Sequence, residues 1–141
     1  MIRPIDVHAV LQQSVPGPYA DLVTRPTGRA VRERIELAIA DAPVLRMDFS
    51  GVRCIDYSCA DEIVAKLLRS VQVLVLRGVT DAHRLAIEPV LEGHGLAVAI
   101  ETGDLLEVWG PPAAAAQVCE VLLARRVAER TAGGALALVA A

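Results

Sequence analysis

Apolar positions along this chain recur first with one period and then with another, and each change of period marks an element. Ile5, Val7, Ala9 and Leu11 alternate with Asp6, His8, Val10 and Gln12. Period two with a polar face predicts a half-exposed strand over residues 5–11. Pro16-Gly17-Pro18 is a turn signal. Residues 19–24 are expected to return as a short antiparallel strand. From Thr27-Gly28 the period lengthens: Val31, Ile35, Ala38 and Ile39 share one helical face, away from Arg32, Glu33, Arg34 and Glu36. Asp41-Ala42-Pro43 stops this helix.

Residues 44–49 read as a strand, with Leu45, Met47 and Phe49 on one face. A loop leads to a helix over 57–69, whose stripe is Ala60, Ile63, Val64, Leu67 and Leu68. Glu62 and Lys66 are spaced as an i,i+4 pair outside that stripe. Residues 71–76 are almost wholly apolar, as in a central strand covered on both faces. Thr80-Asp81 caps a third helix, ending near Gly93-His94-Gly95, in which Pro89 should cause a kink or an early stop. Residues 96–100 form another buried strand, and 105–109 a short extended piece. A last amphipathic helix starts at Pro111-Pro112, carries Val118, Val121 and Leu122, and has Ala124-Arg125 near its end, with Gly133-Gly134 as the breaker.

Alternation of this kind predicts a single α/β domain over residues 1–131. Its sheet is mixed and mostly parallel, with about four to six strands and about four helices. The apolar tail, residues 132–141, is either disordered or paired against a sheet edge.

Composition narrows the functional classes. The 141 residues are 54% hydrophobic and 22% charged, enough apolar material for one core and too much for a disordered chain. The only aromatics are Tyr19, Phe49, Tyr57 and Trp109, and the net charge is −3. Both disfavour nucleic acid as a partner, since stacking needs rings and phosphate needs cations. No apolar run approaches the roughly 20 residues of a membrane span. The first residues lack the apolar core of a signal peptide, so a cytoplasmic location is expected. Cys54, Cys59 and Cys119 form no CxxC pair, and His8, His83 and His94 fall on different elements. Neither a disulfide framework nor a metal site is expected, and no cofactor is called for.

The most specific stretch is residues 44–68. It reads as an apolar strand ending at Asp48, a Gly51-Val52 turn, Ile55-Asp56-Tyr57-Ser58, and then an amphipathic helix. Ser58 and Asp61 form a Ser-x-x-Asp pattern, which on its own predicts an N-cap. Asp61 and Glu62 would complement the helix dipole as an exposed acidic start. Cys54 and Cys59 are expected to be buried, inert thiols, with Cys59 beside a helix N-terminus as the alternative candidate for a lowered pKa. Arg25, Thr27, Gly28 and Arg29 are a candidate anion site at the start of the first helix.

This strand, turn and Ile-Asp-x-Ser helix start resembles the STAS domain family, which includes the bacterial anti-sigma factor antagonists. The order of elements over residues 5–125 is also similar. The resemblance implies a non-catalytic signalling module in transcription regulation. Its partner would be a protein such as a GHKL-type serine kinase and anti-sigma factor, and a homodimer is compatible with it. It places the phosphorylated hydroxyl at Ser58 and the partner-binding surface at Asp56, Tyr57, Ser58, Cys59, Asp61 and Glu62. The chain departs from the family pattern at Tyr57, Cys59 and Ala60, where Ser, Gly and Leu are usual. Two other readings stay open on the residues alone. One is a small ligand-binding, anion-binding or thiol-dependent α/β domain. The other is a structural subunit of a larger assembly.

Overall fold

A computed structural model describes residues 2–17, 19–39 and 41–139. Strand β1 (Ile2–Asp6) leads directly into helix α1 (Val7–Ser14). Of the strand expected over 5–11, only residues 5–6 are extended, and residues 7–11 are helix. Val7, Val10 and Leu11 follow i, i+3, i+4 spacing, which interrupts the alternation. Asp6 supplies the cap by accepting the Ala9 N–H at 3.2 Å.

Strand β2 (Asp21–Leu22) follows, then α2 (Arg25–Ala38) and β3 (Val44–Asp48). β2 pairs in parallel with β4 (Cys54–Ile55) as a separate small sheet, not antiparallel to β1 as expected. Helix α3 (Tyr57–Ala60) runs on into a π-helical turn (Asp61–Lys66) and a 3-10 turn (Leu67–Arg69). The remaining elements are β5 (Val73–Arg77), α4 (Asp81–His94), β6 (Val98–Thr102), β7 (Leu105–Trp109), α5 (Pro112–Ala124), β8 (Ala128–Arg130) and β9 (Leu136–Leu138).

Seven strands form one curled, half-barrel sheet in the order β1-β3-β5-β6-β7-β9-β8. β1, β3, β5 and β6 are parallel, and the rest pair antiparallel. The architecture is thus α/β and mixed, as read from the pattern, with more strands than expected and one helix more. α1 is the additional helix. α5 stops at Ala124, at the expected end near Ala124-Arg125, where Arg126 turns with φ 58° before Gly133-Gly134 is reached. Those two glycines instead sit in the turn between β8 and β9. The tail is not loose over its described residues, because β9 lies between β7 and β8.

Two cores flank the sheet. In β5, Leu74 and Leu76 face the core shared with Leu11, Val31, Ile35, Ile63 and Leu91 of α1–α4. Val73 and Val75 face the other, with Val118 and Leu122 of α5. A strand buried on both faces is uniformly apolar, which is why this one was readable. No described helix is long and apolar enough to cross a membrane.

Candidate functional site

The start of α3 is built by the β3–β4 loop and by the N-terminus of α2. The Phe49 N–H donates to the Arg77 carbonyl, and β4 delivers the chain to Asp56. Asp56, with extended backbone (φ −96°, ψ 172°), is the N-cap. Its Oδ1 accepts the Cys59 N–H at 2.8 Å and the Ser58 hydroxyl at 2.8 Å. Its Oδ2 accepts the Thr24 N–H at 2.9 Å. Burial alone would raise the carboxyl, but hydrogen bonds from Cys59, Thr24 and Ser58 outweigh it and hold it below the ordinary range.

Ser58 is therefore not the cap. It lies inside the first turn, half-buried, with its hydroxyl donated back to Asp56. The reason is register: the Ile55-Asp56 pair ends β4, so the first residue free to cap is Asp56. Tyr57 beside it is 50% exposed.

The other residues of the expected contact surface are turned inward. Cys59, Asp61 and Glu62 are buried, which corrects the reading of an exposed acidic helix start. Glu62 has no exposed surface and accepts from Arg25 at 2.7 Å, Arg32 at 3.0 Å and Lys66 at 2.6 Å. Burial works against its charge, yet these donors prevail and hold the carboxyl down at about 2. Asp61 accepts from Arg25 at 2.7 Å and lies 2.8 Å from His94 Nε2. Its carboxyl too is held below the ordinary range: burial opposes this, and Arg25 and His94 outweigh burial. The Glu62–Lys66 pair exists, but as part of this network and not on a solvated face. Every buried side-chain nitrogen and oxygen among the described residues has a partner.

Gly28 lets α2 approach closely enough for these contacts. A Cβ there would meet Cys59 Cα at 2.9 Å and Glu62 Cβ at 3.2 Å. The four residues expected to bind an anion are thus not assembled around one. Arg25 turns onto two carboxylates, Gly28 is buried, Thr27 Oγ1 lies 3.1 Å from Thr24 Oγ1, and Arg29 is exposed. Cys59 gives its S–H to the Thr24 carbonyl at 3.0 Å. Burial, with Asp56 nearby, pushes its thiol up to about 12, the opposite of a low-pKa nucleophile.

Sequence reasoning paired Lys66 with Glu62 but missed Arg32 and His94 as members of this network. One signal was present: Arg25 and Arg32 lie seven residues apart, two helical turns, on one face of α2. They come together with Glu62 only through the packing of α2 on the π turn. His83 is a second miss. Its Nδ1 accepts the Thr80 N–H at 3.1 Å while Thr80 Oγ1 accepts the His83 N–H, a capping box closed by an imidazole. Its Nε2 lies 2.9 Å from the Val52 carbonyl, tying α4 to the loop before the site.

No protein-family model, curated protein or solved structure matches the chain.

Proposed function

We propose that the chain is a STAS-like, non-catalytic interaction module of the cytoplasm. It presents the start of α3 to a protein partner and is switched by phosphorylation of Ser58 by a serine kinase. The observation that carries this reading is the Ser58–Asp56 hydrogen bond at the rim of a tightly tied helix start. Beneath it, Asp61, Glu62, Arg25 and Cys59 are committed to holding α2 on α3, so their chemistry is positional. At the rim, Tyr57 and Ser58 remain accessible to a partner.

Phosphorylation would remove the hydroxyl donor and add about 1.5–2 negative charges. The new charge would stand against Asp56, whose Oδ1 is 2.8 Å from the present oxygen. The dianion must swing outward, into the space a partner would occupy. Binding changes while the fold stays, because Asp56 remains the cap. The free thiols of Cys54, Cys59 and Cys119 suit a reducing compartment.

The test uses the full chain, Ser58→Ala and Ser58→Asp as baits in extract of the source cell. Mass spectrometry of Ser58 in the endogenous protein accompanies it. A partner held by the first two and at least about tenfold less by Ser58→Asp supports the reading, equivalent to about 1.4 kcal/mol. Equal capture by all three, with no phosphate on Ser58, overturns it.

A further inference from the structure

The outward face of α4 is unpartnered and carries an unusual set of groups. Asp81, Arg84, Leu85, Glu88, Pro89 and Glu92 line a shallow groove of about 440 Å³. Leu85 is 80% exposed. Leu85, Pro89 and Gly93 follow one another at i, i+4, i+8, so they form one ridge. At its far end Gly93 has no side chain, and a Cβ there would lie 3.8 Å from the Tyr57 hydroxyl. The ridge thus continues from Leu85 through Pro89 onto the exposed Tyr57 of α3.

The polar groups beside this ridge are nearly all hydrogen-bond acceptors. Asp81, Glu88 and Glu92 are carboxylates. Arg84, the one cation among the described residues lining the groove, is already occupied by Glu88 and by the Trp109 ring, 4.5 Å from its guanidinium carbon. Pro89 has no N–H, so the Leu85 carbonyl also lacks its intrahelical donor. An apolar ridge bordered by acceptors complements a donor-rich, positively charged partner with apolar teeth.

We infer that the α4 face docks a basic amphipathic segment of another protein. An apolar side chain would seat between Leu85 and Pro89, and Lys or Arg would face Asp81 and Glu92, since Glu88 is paired with Arg84. This goes beyond the Ser58 reading and stands or falls without it, since it needs neither the Ser58 hydroxyl nor its phosphorylation.

The experiment titrates the ¹⁵N-labelled full chain with a synthetic helical peptide of about four turns, carrying Leu on one face and Lys on its flanks. Two control peptides replace Lys by Glu, or Leu by Ser. The expected result is amide shifts confined to residues 81–93 and Tyr57 with the Lys/Leu peptide alone. Leu85→Glu should weaken binding at least about tenfold. Leu37→Glu, at an 86% exposed leucine on α2, should leave it unchanged. Shifts elsewhere, equal binding of the Glu peptide, or equal loss in Leu37→Glu would overturn the inference. So would a concentration-dependent dimer that Leu85→Glu dissolves, since a second copy would then be the occupant.

Discussion

Arg25 and Glu62 meet at 2.7 Å across the contact between α2 and α3, and Glu62 has no exposed surface at all. The pair joins two residues that are 37 positions apart in sequence but adjacent in space, over a glycine that permits the approach. Removing the carboxylate would leave Arg25, Arg32 and Lys66 facing one another without their shared anion. Glu62→Gln should therefore destabilise the protein by about 3 kcal/mol. This is the lower end of the range for breaking a buried pair from one side, because the three cations keep 17–38% of their side chains exposed. Urea unfolding followed by circular dichroism measures it; a loss under about 1 kcal/mol would mean that the network is dispensable.

The same carboxylate sets a pH dependence. Its folded value, about 2, lies below the ordinary 4.5. A lowered carboxyl stabilises above its unfolded value, and the contribution is lost as pH falls toward the folded one. Asp61 and Asp56 shift in the same direction. Urea midpoints should fall steeply from pH 4.5 toward pH 2, with only the milder His83 slope above that. In Glu62→Gln the fall should be shallower.

His83 adds a milder slope at higher pH. Because Nδ1 accepts from the Thr80 N–H, the proton sits on Nε2 and is donated to the Val52 carbonyl. Burial, the main cause, holds the imidazole below its ordinary 6.5 despite the Val52 carbonyl. Protonation would set a donor against a donor. Stability from this group is present above 6.5 and declines as pH falls below it. Nuclear magnetic resonance of the ring nitrogens should show the Nε2–H tautomer and a midpoint under 6.5; the other tautomer would contradict the capping box.

Two substitutions separate capping from signalling. Asp56→Ala removes the cap and the tie to Thr24, and should cost about 1–2 kcal/mol. Ser58→Ala removes only one donor to Asp56, and should cost under about 1 kcal/mol. Thermal unfolding of the two variants decides the order, and the reverse order would return the cap to Ser58.

Thiol chemistry offers a simple check. Cys59 is buried, with its thiol pushed up to about 12, and should react with an aromatic disulfide reagent only when urea unfolds the chain. Gly28→Ala forces backbone apart at Cys59 Cα, costs about 1–3 kcal/mol, and should speed that reaction. Rapid labelling of Cys59 in the native wild type would contradict the packing of α2 on α3.

Much of the frame was readable because its signals are local. The apolar run of β5, the stripe of α2 and the Thr80 cap each act within a few residues. What escaped depends on distant partners. Asp61 and Glu62 look like solvated acids until Arg25 and Arg32 are brought over them from another helix. Ser58 looks like a cap until the register of β4 places Asp56 as the cap, two residues earlier. β8, with Glu129 and Arg130, has no hydrophobic pattern to betray it, since its place is fixed only by pairing with β9.

That pairing also bears on synthesis. The ribosome releases β8 before β9, yet β8 reaches the rest of the sheet only through β9. While the chain is still emerging, β1–β7 can assemble, and β7 then exposes a row of unpaired N–H and C=O groups to neighbouring nascent chains. Only when residues 136–138 clear the exit tunnel is that row covered. A polypeptide stalled or clipped just after β8 would keep most of its core and carry an adhesive edge in place of its last two strands.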